Sequence, residues 1–231
     1  MAFVVGSDVG RGPCNIVLDG FDSEKVGALT VRPGCIFLDG LRLGYGKEAV
    51  YEGRWRGRKL MPENILAMRA ELCAKAPVHS LAFLLERERL AYFRRPFDKV
   101  FAERMVVGAA KIFGGELREG VRIVRGCGYG LTPSGDDFLA GVMYGLHVLG
   151  DTGPVDVVYK CACRGEGLSS VFLKLAHDGL FPEKLKALAG TLSRKGDVRS
   201  ALSGVLAMGA SSGADLAVGT LMTLENEGIR C

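Results

Sequence analysis

The segment Gly126–Gly141, G-C-G-Y-G-L-T-P-S-G-D-D-F-L-A-G, gathers the residue types that handle small anions. Alternate glycines at 126, 128 and 130 permit backbone conformations that a Cβ disfavours, and they let successive N–H groups face one concavity. Pro133 holds Thr132 extended, and Ser134 is placed to start a helix. Free N–H groups that feed a helix N-terminus attract phosphate or carboxylate. No Lys follows the last glycine, as a Walker loop requires, and the dinucleotide spacing G-x-G-x-x-G is absent. Gly128, Gly130, Thr132, Ser134 and Gly135 are therefore the expected substrate-binding residues.

The pattern repeats. Ser134-Gly135-Asp136-Asp137-Phe138-Leu139-Ala140-Gly141 aligns with Ser212-Gly213-Ala214-Asp215-Leu216-Ala217-Val218-Gly219 as S-G-x-D-x-x-x-G. Ser followed three residues later by an acid is a capping-box arrangement, so Ser134 with Asp137 and Ser212 with Asp215 can each stabilise a helix start. That purely structural role stands beside a substrate-binding role for Ser212 and Asp215. Gly141 and Gly219 suit close helix packing. Asp136 is different, because its counterpart is Ala214 and capping needs no acid there. Adjacent carboxylates would repel a bound phosphate unless a cation intervened. Either a divalent ion such as Mg²⁺ or a basic side chain bridges Asp136 to an anionic ligand, or Asp136 accepts a proton or hydrogen bond from substrate. Asp136 and Asp137 are the catalytic candidates, and Asp136 the candidate metal ligand. Arg122, Arg125 and Arg164 are the candidate balancing cations.

Other chemistry-bearing residues are less organised. His79, His147 and His177 are too scattered for a metal set, and His147 reads as a packing or surface residue. Ser169 and Ser170 read as the cap of a helix ending at Gly179. Seven cysteines include no C-x-x-C pair, which argues against a zinc site or disulfide framework and for a reducing, cytoplasmic setting. The N-terminus carries no signal-peptide pattern, and no apolar run reaches membrane-spanning length.

The elements that must position the loop follow from periodicity. Short Val/Ile/Phe-rich runs before residue 60 (FVV, CNIVLDGF, ALTV, CIFLDGL, AVYEGRW), broken by Gly and Pro, predict a small antiparallel sheet or partial barrel. Helical spacing begins near Pro62, and further helices are expected from about Ser80 and from about Phe97 to Gly114-Gly115. A short RIV strand is expected just before the loop. Helices over 134–149, 155–163, 167–178, 182–192, 197–209 and 212–226 complete an α+β chain, with a β-rich part at 1–60 and a helical part at 61–231.

A net charge of +4, from 30 basic and 26 acidic residues, forms no stripe, which argues against a nucleic-acid protein. The densest basic group, Arg54, Arg56, Arg58 and Lys59 around Trp55, reads as a solvated strand or turn. Glutamine is absent and only three Asn occur, a composition consistent with a thermophile, though seven Met and seven Cys weigh against it.

GYGLTPSGDDFLAG resembles the signature of a family that includes the AllH-like subunit of oxamate carbamoyltransferase. LSSVFLKLAHDGLFPEKLKAL, SSGADLAVGTL and the β-rich start resemble that family's order of elements. The resemblance implies a subunit that acts with two unrelated subunits to move a carbamoyl group between oxamate and carbamoyl phosphate in allantoin catabolism. Its ligands would be small anions, as the loop chemistry also suggests. The alternative is a non-catalytic module whose loop binds a small anion or a partner subunit.

Overall fold

A computed structural model of the chain describes residues 2–19, 27–57 and 59–229, so Arg58 and Cys231 lie outside the described residues. Two compact units result, Met1–Gly53 and Arg54–Cys231.

In the first unit, β1 (Phe3–Val5) pairs with β2 (Asn15–Val17) in parallel, while β3 (Leu29–Arg32), β4 (Cys35–Leu38) and β5 (Leu41–Gly44) form an antiparallel meander. The meander follows from its turns. Pro33-Gly34 reverses the chain with Gly34 at φ +77°, and Asp39-Gly40 does so with both residues at positive φ, a combination whose twist matches paired strands. The Asp39 carboxylate accepts hydrogen bonds from the amides of Gly27 and Ala28, which ties the hairpin to the start of β3. The small antiparallel sheet is therefore present, and the parallel β1–β2 pair is the departure from it. AVYEGRW is no strand, since Lys47–Ala49 is a 3₁₀ turn and only Arg54 makes a bridge, to Leu180.

The second unit is helical: α1 (Pro62–Lys75), α2 (Pro96–Phe113), α3 (Leu117–Val124), α4 (Ser134–Leu149), α5 (Val155–Ala162), α6 (Leu168–His177), α7 (Glu183–Leu192), α8 (Val198–Leu206) and α9 (Ser212–Glu225). The expected RIV strand is the end of α3. Leu117, Gly120, Val121 and Val124 recur at helical spacing and are all buried, whereas three apolar residues alone cannot tell strand from helix. The expected helix from Ser80 is two 3₁₀ turns, Leu81–Leu84 and Arg87–Tyr92, held by Ser80 at the start and by Arg89. Arg89 bonds Glu86 and reaches the carbonyls of Cys73 and Ala76 at the end of α1.

The centre of this unit is the pair α4–α9. Both helices are apolar on nearly every face, and α4 is buried from Gly135 to Leu146 except at Asp136. Such helices need neighbours all round. α3, α5 and α6 cover α4, while α1, α8 and the Leu81–Leu84 turn cover α9.

Candidate functional site

Close approach of α4 and α9 is set by glycine. A Cβ on Gly141 would lie 2.1 Å from the Leu216 carbonyl oxygen, and one on Gly219 would lie 2.2 Å from that of Phe138. Farther along, Gly145 faces Thr220 and Thr223. Contacts advance in the same direction on both helices, so the two run parallel and their N-termini lie side by side. Two positive helix ends therefore adjoin.

The approach to each helix is built alike. Gly135 N donates to Cys127 O and Gly213 N to Met208 O, while Cys127 N and Met208 N donate to Val124 O and Val205 O. A Cβ on Gly135 would meet Val124 O at 2.0 Å, and one on Gly213 would meet Val205 O at 1.9 Å. The S-G-x-D echo is thus the end of a longer structural repeat, α3–loop–α4 and α8–loop–α9.

Neither serine caps its own helix. α4 and α9 start at Ser134 and Ser212, with Pro133 and Ser211 in the cap positions and no side-chain cap bond. The capping-box expectation is corrected here, because the serines reach across instead. Ser134 faces Asp215, and Ser212 faces Asp137 and lies 3.2 Å from the Thr132 hydroxyl. Asp137 and Asp215 lie in the adjoining first turns, 8% and 0% exposed. Asp215 Oδ1 accepts the Leu81 amide at 2.7 Å, and Oδ2 of both aspartates is buried with no partner.

Burial raises Asp137 to about 7, and the charges of Asp215 and Asp136 add to the rise. The Ser212 and Thr132 hydroxyls pull it down without giving Oδ2 a hydrogen bond of good geometry. Burial raises Asp215 to about 6 against the Leu81 amide and the Ser134 and Ser211 hydroxyls. Unpaired buried carboxylates cost stability, and that cost in two adjoining first turns makes Asp137 and Asp215 site candidates.

The loop between α3 and α4 leaves most of its amides free. Among the described residues, the N–H groups of Gly128, Tyr129, Gly130, Leu131, Thr132 and Ser134 donate to no protein acceptor. Those of Gly135, Asp136 and Asp137 are engaged within the turn. Gly126, Gly128 and Gly130 all have positive φ, and a Cβ on Gly128 would lie 2.7 Å from Ser134 N. Tyr129 rests on Phe97, with ring centroids 4.5 Å apart.

Asp136 braces the loop. Its Oδ1 accepts the Gly126 amide at 2.7 Å and its Oδ2 accepts the Ser169 hydroxyl at 2.5 Å. Ser169 therefore ties α6 to the loop and does not cap α6, whose cap position is Gly167. No group of three or more His, Cys, Asp or Glu among the described residues is placed to hold a metal ion. Of the candidate cations, Arg164 approaches Gly126, Arg125 donates to Cys161 O, and Arg122 is exposed on α3. His147 is half-buried, bonded to His177 O, with its pKa lowered by burial. Trp55 packs on Phe181.

The structure thus gathers Thr132, Ser134, Asp137, Ser212 and Asp215 at one place, with Gly128, Gly130 and Gly135 shaping the loop. Sequence reasoning missed Leu81 and Ser211. The Ser211-Ser212 doublet was a usable signal, whereas nothing in the sequence ties Leu81 to a residue 134 positions away.

Residues 124–224 match the model of the family described as oxamate carbamoyltransferase subunit AllH. The matched stretch opens at the last residue of α3 and closes one residue short of the end of α9, so it encloses both loops and both central helices. No curated protein and no solved structure matches the chain. No helix among the described residues is long and apolar enough to cross a membrane.

Proposed function

We propose that the chain is a subunit of a carbamoyltransferase-type enzyme and that it holds carbamoyl phosphate, or a similar small anion, where α4 and α9 begin. The observation that carries this reading is the pair of buried, unpartnered carboxylate oxygens of Asp137 and Asp215 beside a loop of free amides. An anion alone would be repelled by these carboxylates. A ligand with an anionic group at one end and N–H donors at the other satisfies both parts. Amides from Gly128 to Thr132 and at Ser134 take the oxygens, and Asp137 faces the amide nitrogen.

In carbamoyl transfer the acceptor nitrogen bonds to the carbamoyl carbon, the carbon–oxygen bond to phosphate breaks, and phosphate leaves with the electron pair. The proton lost by the acceptor nitrogen needs a base. Asp137, at about 7, serves near neutral pH. Asp136 acts through the loop it braces. The family description supports partner subunits, which would supply the rest of the active site.

Calorimetric titration with carbamoyl phosphate, oxamate and inorganic phosphate, with and without Mg²⁺, tests the binding. A carbamoyl-transfer assay with candidate partner subunits tests the activity. Saturable binding plus turnover supports the proposal. Binding without turnover, even beside partners, favours the anion-binding module, and no binding by any of the three removes the site.

A further inference from the structure

We infer that the Met208–Ser212 turn is a second small-anion subsite, so that the site has two arms holding two ligands against the shared Asp137–Asp215 pair. This inference rests on the function proposed above and assigns it the place of the second substrate.

The two arms share a frame atom for atom at their bases, as the Gly135/Cys127/Val124 and Gly213/Met208/Val205 contacts show. Gly128 and Gly209 hold equivalent places, each one residue beyond the carbonyl that accepts the helix's glycine amide. Both have positive φ, +117° and +68°, and both lie against the serine that opens the helix. Among the described residues, the N–H groups of Gly209, Ala210, Ser211 and Ser212 donate to no protein acceptor, as in the first arm. Free amides at a helix start are not enough to make a site. The independent sign is Asp215, fully buried in the first turn of α9 between Ser134 of one arm and Ser211 of the other, with Oδ2 unsatisfied.

The hydrogen-bonded Thr132 and Ser212 hydroxyls stand on the midline between the arms and separate two small ligands. An anion in the second arm must bring its own donor for Asp215 Oδ2. Its class is therefore a small carboxylate or acid phosphate with an N–H or O–H next to the anionic group. A carbamoyl acceptor bearing an amide beside its carboxylate fits that description.

Inorganic phosphate, which carries both an anionic oxygen and an O–H near neutral pH, is the probe. It is titrated into ¹⁵N-labelled full chain while the amide signals of 128–134 and 209–212 are followed, with calorimetry giving the stoichiometry. Two phosphates per chain are expected, one moving each set of amides. A Cβ meets open space at Gly130 and ordinary contact at Gly209, and both have positive φ, so Gly130→Val and Gly209→Val each strain one arm. Each variant is expected to lose one phosphate and to keep the shifts of the other arm. If a variant does not fold, the amide map of the unaltered chain decides alone. One phosphate per chain on 128–134, with Gly209→Val indistinguishable from wild type, overturns the second arm and leaves the proposed function standing. One phosphate on 209–212 alone overturns the two-armed site, and no shift in either set removes both readings.

Discussion

The two halves of the helical unit, α3–loop–α4 and α8–loop–α9, repeat a frame and diverge in the connection that leads into each central helix. Glycines at 135 and 213, and at 141 and 219, are retained because a Cβ would enter a carbonyl oxygen at about the same distance in each half. Ser134 and Ser212, with Asp137 and Asp215, are retained because they pair across the interface. The connection differs, residues 125–133 in the first half against the shorter 207–211 in the second, and Asp136 stands where the second half has Ala214. The longer loop needs a brace, which Asp136 supplies to Gly126 and Ser169, and the shorter turn has none to make. Packing fixes the shared part. The divergent part is where one arm differs from the other.

The largest expected effect falls on the shared frame. Gly141→Ala and Gly219→Ala each force the parallel helices apart, and each should lose at least about 3 kcal/mol, at the upper end of the overpacking range, in a denaturant titration. Gly190→Ala on α7, whose Cβ meets open space, should instead gain about 0.5–1 kcal/mol. Equal losses at 141 and 219 keep the two halves equivalent, and a loss at only one breaks the comparison.

Next comes Ala214→Asp, which copies Asp136 into the second half. Residue 214 is buried, and the shorter turn lacks the Gly126 and Ser169 donors, so a loss of about 2–4 kcal/mol is expected by thermal melting. A neutral result would mean that the asymmetry at this position is incidental.

The aspartate pair predicts a pH dependence. Folded pKa values of about 7 and 6 lie above the ordinary carboxylate value of 3.8, so the fold binds protons more tightly than the unfolded chain does. Their contribution to stability is complete below about pH 4 and is lost as pH rises through 6 and 7. Asp137→Asn should therefore raise the melting temperature by several degrees at pH 8 and by much less at pH 4, while turnover falls at least about 100-fold. A melting temperature that falls at pH 8 contradicts the burial argument.

The smallest effect is at the brace. Ser169→Ala should cost about 1 kcal/mol and loosen the first arm alone, read as faster hydrogen exchange at Gly126 and Cys127 with Met208 and Gly213 unchanged.

Much of this was legible. The six helices from Ser134 onward follow from uninterrupted 3.6-residue periodicity between Gly and Pro breaks, and the boundaries of α4 and α9 fall within a residue of expectation. The RIV run was not, because the turn of α3 that shows its period, Leu117 to Val121, lies upstream of those three residues. The crossing of the serine–aspartate pairs is hidden from the sequence for a general reason. S-x-x-D specifies a serine and an acid near one helix start, and only the approach of the second helix decides which acid each serine meets. The odd residue of the repeat, Asp136 against Ala214, stood out in the sequence, but its partners Gly126 and Ser169 are set by the loop's path. Leu81 left no trace, since a backbone amide carries no sequence signal.

The central claim is that Asp137 and the loop amides grip two ends of one small molecule. Calorimetric titration of carbamoyl phosphate into wild type and folded Asp137→Asn at pH 7 tests it most directly. Saturable binding by wild type is expected, with at least about 30-fold weaker binding by the variant, about 2 kcal/mol, from the loss of a charge-assisted hydrogen bond. Binding that is unchanged, or tighter because a repelling carboxylate has been removed, would contradict it.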